Sequence, residues 1–196
     1  METIPASIDK EQNVSWGNEA QVDGEQARAK PRGVLAGLGF AALTFGVAAA
    51  GAIATRRGKG RPQSLWYRLL RKPSYQPPNR VFGPVWTVLY GAIAYSGWRV
   101  WRSKESPERT AALGLWATQL ALNAAWSPLF FGARRPRAAL LDLIVLDASA
   151  AAYTAVASKV DTQAGATVLP YLGWLGFATA LNSSIVAKNP SILLKR

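Results

Sequence analysis

The chain has 196 residues, 49% of them apolar and eight of them Trp, and its net charge is +12. It contains no Cys and no His, and its single Met is residue 1, which excludes disulfides, thiolate nucleophiles, histidine bases and zinc sites. The basic residues cluster between long uncharged segments, a pattern that favours a membrane protein over a nucleic-acid-binding protein.

The N-terminal region is polar and acidic. Residues 1–29 contain six Asp or Glu and two Lys or Arg, and residues 1–30 show no apolar periodicity. We therefore predict a disordered tail over residues 1–30. This tail resembles neither a secretory signal, which needs a basic start and an apolar run, nor a mitochondrial presequence, which avoids acids.

Five long apolar segments follow, and we predict that each is a transmembrane helix. A soluble helical bundle is the alternative, but five segments with so few polar positions disfavour it. The predicted fold class is all-α integral membrane, a bundle of five transmembrane helices with a long first loop. It forms one membrane domain over residues 31–190, followed by a short basic tail over residues 191–196. The predicted spans are residues 33–55, 81–98, 110–132, 138–158 and 164–187.

The orientation of these spans follows from the distribution of Lys and Arg. Fourteen bases lie on the side of the first loop, the third loop and the C-terminus, and nine lie on the other side. By the positive-inside rule, we expect the first loop and the C-terminus in the cytosol. The sequence leaves open whether the membrane is bacterial or mitochondrial outer.

The loop over residues 56–80 is too long to be a simple connection, and loops of this length are often lids or binding elements. Ser64 is placed to cap a short helix that runs through Leu70 and ends at Pro73. The alternative for the aromatic and basic residues is a belt at headgroup depth facing anionic lipid. The residues predicted to act as a lid are Trp66, Lys72, Pro73, Pro77 and Pro78.

Two predicted helices carry aromatic stripes. On the second, Phe82, Trp86 and Tyr90 are spaced i, i+4 and i+8 and so share a face. Two facing stripes suggest a slot for a flat apolar ligand, and ordinary core packing of the rings is the alternative. The corresponding face of the fifth helix carries Pro170, Trp174, Phe177, Ala178 and Leu181.

The third predicted helix separates its polar and small residues by face. Gln119, Asn123, Trp126 and Phe130 lie on one side and are expected to look into the bundle. The opposite side has small-xxx-small spacing, which lets a neighbouring helix or a second protomer approach closely. The small residues on that side are Ala117, Ala121 and Ala125.

Two acids, Asp142 and Asp147, lie in the fourth predicted span. A charge near the centre of a span costs about 2.5–3.5 kcal/mol on insertion scales. Asp142, about one turn from the helix start, can reach the interface or an Arg among residues 134–137. Asp147 lies about 13 Å into the helix and needs a partner or a proton. We expect a structural hydrogen bond for each.

Four stretches together resemble one protein family. They are WYRLLRKPSYQPPNRVFGPVWTVLY (66–90), QLALNAAWSPLFFGAR (119–134), ALLDLIVLDASAAAYT (139–154) and LPYLGWLGFATALN (169–182). In order and spacing they are similar to the TspO/MBR translocator proteins, also called tryptophan-rich sensory proteins or peripheral benzodiazepine receptors. The resemblance covers about residues 64–189 and leaves the N-terminal tail outside.

The resemblance implies a membrane protein that binds tetrapyrroles, notably protoporphyrin IX, as a sensor or carrier, and a homodimer formed through the third helix. Some family members are associated with light-dependent oxidative breakdown of protoporphyrin, attributed to tryptophans that match Trp86 and Trp174. A transporter of porphyrin, sterol or another apolar ligand and a packing-only scaffold are the alternatives. The predicted ligand-binding residues are Phe82, Trp86, Tyr90, Asn123, Trp126, Asp142, Trp174, Phe177, Ala178 and Leu181.

The composition also limits the ligand. With no His, no Cys and no internal Met, a haem iron would find only Tyr or another oxygen. We therefore predict no required cofactor and no metal site, and metal-free porphyrin binding at least as well as haem, with propionates meeting bases such as Arg80 or Lys72. Specific cholesterol binding is not expected, because Ser183 stands where the proposed sterol motif needs Tyr. Tyr75 stands where the family usually has Trp.

Overall fold

The computed structural model describes the backbone of residues 9–190 and the side chains of residues 33–190. Within that part of the chain every regular element is helical. A π-helical turn, Pro128–Gly132, continues α4. The helices are α1 (Asp9–Arg57), α2 (Leu65–Leu69), α3 (Asn79–Arg102), α4 (Pro107–Ser127), α5 (Pro136–Val160), α6 (Thr162–Thr167) and α7 (Leu169–Lys188).

The chain divides into two units, Met1–Leu38 and Gly39–Arg196. In the first unit the backbone is helical from Asp9 onward, which differs from the disordered tail that the sequence predicts. Ala, Gln, Glu, Lys and Arg recur in this region, and each has a good intrinsic helix propensity. The predicted tails at residues 1–8 and 191–196 lie outside the described residues.

Each predicted span lies within a helix or across two consecutive ones. By length and hydropathy, three helical segments of the described chain can cross a membrane: Gly33–Arg57, Pro136–Val160 and Thr162–Lys188. The other two long helices, α3 and α4, have lower hydropathy because Trp, Tyr, Gly, Asn and Gln interrupt their aliphatic residues. Over residues 9–190 the structure is thus all-helical, with at least three apolar helices of spanning length.

Side-chain caps set several helix starts. Ser64 accepts a hydrogen bond from the backbone N–H of Tyr67 at 3.2 Å and begins α2, which confirms the predicted short helix in the loop. Ser106 begins α4 in the same way.

The predicted fifth span is interrupted near its start. Val168, with φ −96° and ψ 1°, separates α6 from α7. Pro170 in the first turn of α7 explains the break, because proline lacks the N–H that a continuous helix would use.

The core of the second unit lies among α3, α4, α5, α6 and α7. Trp116 of α4 is buried there and donates from its indole Nε1 to the carbonyl of Ile93 at 2.9 Å. Helix α1 reaches this core through Phe40, whose ring meets Trp116 edge-on at 4.8 Å. Gly97 allows this approach, since a Cβ there would lie 2.5–2.9 Å from atoms of both rings. Only 6% of the apolar segment of α1 is buried, so α1 packs more loosely than the other long helices.

Candidate functional site: an aromatic cavity

A cavity of about 680 Å³ lies in the second unit, between α1, α3, α4, α5, α7 and the loop that joins α1 to α3. Its lining is mainly apolar, which is typical of small-molecule sites of this size. Eight of the ten predicted ligand-binding residues line it: Phe82, Trp86, Tyr90, Asn123, Trp126, Trp174, Ala178 and Leu181.

The aromatic wall of the cavity is formed by α3 and α7. Trp86 stacks on Tyr90, with ring centroids 5.2 Å apart and an interplanar angle of 30°. The ring of Trp174 stands edge-on to Trp86 at 6.4 Å and to Phe82 at 5.7 Å. Edge-to-face and offset contacts at these distances are favourable for aromatic pairs. The two stripes predicted from helical spacing therefore meet in one wall, and that wall faces the cavity.

Two predicted ligand-binding residues, Phe177 and Asp142, lie outside the lining. Phe177 contacts Trp174 at 5.3 Å and Tyr75 at 6.3 Å, which places it in the layer next to the wall. It is three residues from Trp174, so it lies about 60° away around the helix. For Asp142 the neighbouring Leu143 lines the cavity, about 100° further round α5. Neither side chain lines this cavity, and contact of either one with a ligand stays a prediction.

Asp147 has a hydrogen-bond partner, as predicted from the sequence. The hydroxyl of Thr179 on α7 donates to its carboxylate at 2.6 Å, which joins α5 to α7. Asp142 has no such contact through Oδ2, which is buried and lacks a hydrogen-bond partner among the described residues. The predicted structural hydrogen bond is confirmed for Asp147 only.

A second wall of the cavity is supplied by α1 and consists largely of small residues: Ala48, Ala49, Gly51 and Ala52. Gly51 lies close to Ser127 of α4, because a Cβ there would be 3.5 Å from the Ser127 Oγ. This wall was not predicted from the sequence. Small residues carry no chemical signature, and the only sequence signal is the Gly- and Ala-rich composition of residues 46–54.

A buried hydrogen-bond chain starts from two side chains of the cavity lining, Tyr90 and Asn123. Tyr90 donates to the Asn123 Oδ1 at 2.6 Å, and the Asn123 Nδ2 donates to the Tyr171 hydroxyl at 3.1 Å. Tyr171 in turn donates to the Gln119 Oε1 at 2.8 Å. These bonds fix the amide of Asn123 and satisfy polar groups that burial would otherwise penalise. Gln119 and Asn123 were predicted to look inward, whereas Tyr171 was not identified.

The loop and the adjoining helix ends border one end of the cavity, which we call the mouth. Arg56, Pro62, Tyr67, Gln76 and Asn79 line it. Burial raises the pKa of Tyr67, although a hydrogen bond from Gln76 acts in the opposite direction. A buried phenol with a raised pKa stays neutral at physiological pH, so Tyr67 presents an uncharged surface.

The five predicted lid residues do not line the cavity, but several hold the loop in shape. Trp66 packs edge-on against Phe130 at 5.9 Å. The Lys72 ammonium donates to the carbonyls of Tyr67 at 2.6 Å and Leu70 at 3.2 Å. Burial lowers the pKa of Lys72. Lys72 thus satisfies the loop's own backbone, and Pro73, Pro77 and Pro78 restrict its path. The lid role of these five residues stays a prediction.

The end of α7 anchors the loop. The Asn189 side chain accepts from the backbone N–H of Arg71 at 2.8 Å and donates to the Arg71 carbonyl at 2.9 Å. The Tyr75 hydroxyl contacts the Ala180 carbonyl at 3.1 Å and the Ser184 hydroxyl at 2.6 Å. Asn189 is 2% exposed, so its two bonds to Arg71 are partly shielded from water. The loop is thus fixed to α7 over the mouth.

The predicted dimer face lies away from the cavity. Ala117 and Ala121 on α4 are exposed, and Ala125 is half-buried. None of the three lines the cavity. A second protomer at this face stays a prediction.

Comparison with known proteins gives a consistent result. A model described as the TspO/MBR family matches residues 40–187. The chain is 44% identical over 126 residues to the Translocator protein of Homo sapiens, covering 63% of this chain and 75% of that one. It is 42% identical over 127 residues to the Tryptophan-rich protein TspO of Archaeoglobus fulgidus, covering 63% and 80%. To the Tryptophan-rich sensory protein of Cereibacter sphaeroides it is 39% identical over 147 residues, covering 75% and 90%.

Proposed function

The chain belongs to the TspO/MBR family, and from that membership and its aromatic cavity we propose that it binds a tetrapyrrole, protoporphyrin IX, within the membrane. The observation that carries the proposal is the single aromatic wall formed by Phe82, Trp86 and Trp174 beside a cavity of about 680 Å³. A flat macrocycle offers two large faces to such rings. Stacking and burial then supply most of the binding free energy.

The depth of the cavity supports a guest of this size. The lining runs from Arg56 to Phe45 on α1 and from Asn79 to Tyr90 on α3. At 1.5 Å per residue, each of these eleven-residue steps is about 16 Å long. The guest would therefore extend from the mouth toward the middle of the bilayer, with α1, α3, α4, α5 and α7 as five membrane spans around it.

The residues in the lining favour a metal-free macrocycle. The whole chain lacks His and Cys, so an iron in the cavity would have only oxygen ligands. The Tyr90 oxygen, the phenol nearest to Trp86, already donates its proton to Asn123. We expect protoporphyrin IX to bind at least as tightly as haem, since the faces of the ring carry the interaction.

The biological role that we propose is a sensor or carrier of the porphyrin. Relatives named Translocator protein and Tryptophan-rich sensory protein are consistent with both. A second candidate is light-dependent oxidation of the bound porphyrin by molecular oxygen, and the separation of 6.4 Å between the rings of Trp86 and Trp174 favours it. Both indoles would then lie beside the excited macrocycle.

Titration of the purified protein with protoporphyrin IX, followed by Trp fluorescence, tests the proposal. We expect saturable quenching, and at least a tenfold higher Kd in Trp174→Ala because a large stacking surface is lost. Trp98→Phe is the matched control, since Trp98 does not line the cavity and its loss should leave the Kd unchanged. Linear, non-saturating quenching in the wild type would refute the proposal.

Transport is tested separately. In vesicles that contain the purified protein, a carrier moves porphyrin across the bilayer, whereas a sensor binds it without net flux. Flux that Trp174→Ala abolishes would favour translocation. Binding without flux would favour sensing.

A further inference from the structure

The cavity has one charged residue in its lining, Arg56. The remaining lining side chains are apolar, aromatic or neutral polar groups. The two acids of α5, Asp142 and Asp147, lie outside the lining, and Asp147 is bonded to Thr179. The cavity is therefore polarised, with a cation at its mouth and neutral walls below.

The loop around the mouth adds to this positive potential. Residues 56–80 contain eight Lys or Arg and no Asp or Glu. Among the described side chains, the ion pairs are Arg99–Asp161 and Arg109–Glu105, and both lie outside this loop. An uncompensated cluster of bases around a cleft with low-dielectric walls concentrates anions there.

The helix ends at the mouth also favour the binding of an anion. Helix α3 begins there with Asn79, and no side chain caps its N-terminus, so the positive end of its dipole is free to favour an anion. The C-terminus of α1 has the opposite polarity. Arg56 and Arg57 lie in its last turn and offset it.

We infer, on the basis of the proposed function, that Arg56 binds an anionic group of the ligand and orients it with its carboxylates toward the loop. A guanidinium offers parallel N–H donors that match a carboxylate. The apolar part of the guest then lies against Trp86 and Trp174. Lys72, expected from the sequence to meet the propionates, instead donates to two loop carbonyls, and neither Lys72 nor Arg80 lines the cavity.

The chemistry that Arg56 recognises is an anion, which a ligand carboxylate or a lipid phosphate can supply. Two ligands separate the sources: protoporphyrin IX, which has two carboxylates, and its dimethyl ester, which has the same ring and no charge. Both are titrated in nanodiscs of phosphatidylcholine alone and in nanodiscs that also contain phosphatidylglycerol.

Two variants carry the test. Arg56→Gln removes the cation of the lining, and Arg57→Gln removes the same charge from the next residue, which does not line the cavity. We expect Arg56→Gln to raise the Kd of the diacid about fivefold and to change that of the ester less than twofold. Arg57→Gln should change both less than twofold. Binding of the ester by Arg56→Gln also shows that the variant is folded.

The remaining outcomes overturn the inference. Equal weakening by both variants would assign the effect to the general charge of the loop. If the diacid and the ester had equal Kd values in the wild type and in both variants, the carboxylates would have no part in recognition. The proposed function would still stand. An effect of Arg56→Gln confined to phosphatidylglycerol nanodiscs would assign Arg56 to lipid. Failure of the wild type to bind either porphyrin would refute the proposed function itself.

Discussion

The two long walls of the cavity are built in opposite ways. On α3 and α7, the rings of Phe82, Trp86 and Trp174 contact one another at 5.7–6.4 Å and form a continuous surface. On α1, the wall is made of Ala and Gly, and only 6% of the apolar segment of that helix is buried. One wall supplies contact surface, and the other supplies space.

This difference has a physical basis. Aromatic rings that pack on one another are held in place before a ligand arrives, so little conformational entropy is lost when it binds. The α1 wall needs no such ordering, because Ala and Gly lose almost no side-chain entropy. The comparison predicts that ligand binding weakens when the aromatic wall loses a ring. It also predicts that binding weakens when a side chain of the α1 wall becomes larger.

The largest effect is expected where the α1 wall is filled. Ala48 lines the cavity and packs against the core, so Ala48→Trp would place an indole in the space that the ligand needs. We expect protoporphyrin binding to weaken at least thirtyfold, measured by fluorescence titration. The melting temperature should fall only slightly, because the cavity gives the new ring space although Ala48 also packs against the core.

The matched control for this variant is Ala50→Trp. Ala50 is exposed and lies two residues away on the same helix, outside the lining. Its Kd should stay within about twofold of the wild type. If Ala48→Trp bound porphyrin as well as Ala50→Trp, the α1 wall would not face the ligand.

The aromatic wall is tested by its chemistry. Trp86→Phe with Trp174→Phe keeps two rings in place and removes both indoles. If the indoles take part in photo-oxidation, product formation in light should fall about tenfold or more, while the Kd rises only about threefold. Absorbance and product chromatography under illumination measure product formation, and titration in the dark measures the Kd.

Trp98→Phe, which removes an indole outside the cavity, is the control for this pair of substitutions. Product formation in the double variant equal to that of the wild type would remove both indoles from the reaction. It would leave their role in binding untouched.

The aromatic wall could be predicted from the sequence because helical periodicity determines which rings share a face. Phe82, Trp86 and Tyr90 share a face at any tertiary arrangement of the helix, and the predicted cap at Ser64 depends on four neighbouring residues. The α1 wall and Arg56 could not be predicted in this way. Their role depends on which helix lies opposite, and neither spacing nor composition determines that.

The lid residues show the same limit in the loop. Lys72 and Trp66 were identified by their residue types, but neither lines the mouth. Tyr67, next to Trp66, and Gln76, four residues after Lys72, line it instead. In a segment with little regular structure, no fixed period tells which side chains turn inward. The backbone bonds of Lys72 and Asn189 decide it, and the bond from Asn189 joins residues 118 positions apart in the sequence.

A smaller effect is expected at the anchor of the loop. Asn189→Ala removes both bonds to Arg71 and leaves that partly buried backbone without these partners, which costs about 1 kcal/mol of loop closure. Because the loop covers the mouth, porphyrin should dissociate about five- to tenfold faster, with little change in the association rate. Stopped-flow competition measures both rates. Lys188→Ala, at the neighbouring residue, should leave them unchanged, and equal dissociation rates in the two variants would contradict a latch at Asn189.

The smallest effect is expected at the opposite end of α3, about 30 Å from the mouth. Asp161 pairs with Arg99 at 2.8 Å and accepts from the backbone N–H of Ala164 at the start of α6. Burial acts to raise the pKa of Asp161, but these hydrogen bonds outweigh it and hold the pKa below its ordinary value. A carboxylate with a lowered folded-state pKa contributes stability that is present above its unfolded pKa, near 4, and is lost as pH falls through the folded value.

Asp161→Asn tests this end of the molecule because Asn keeps the N-cap acceptor and removes only the charge. The melting temperature in detergent should fall by about 2 °C at pH 7, as expected for a partly exposed ion pair, and the difference from the wild type should close below about pH 4. Porphyrin affinity should stay unchanged at pH 7, since no lining residue is involved. A weakened porphyrin affinity would mean that the two ends of α3 are coupled, and that the aromatic wall owes part of its arrangement to a contact far outside the cavity.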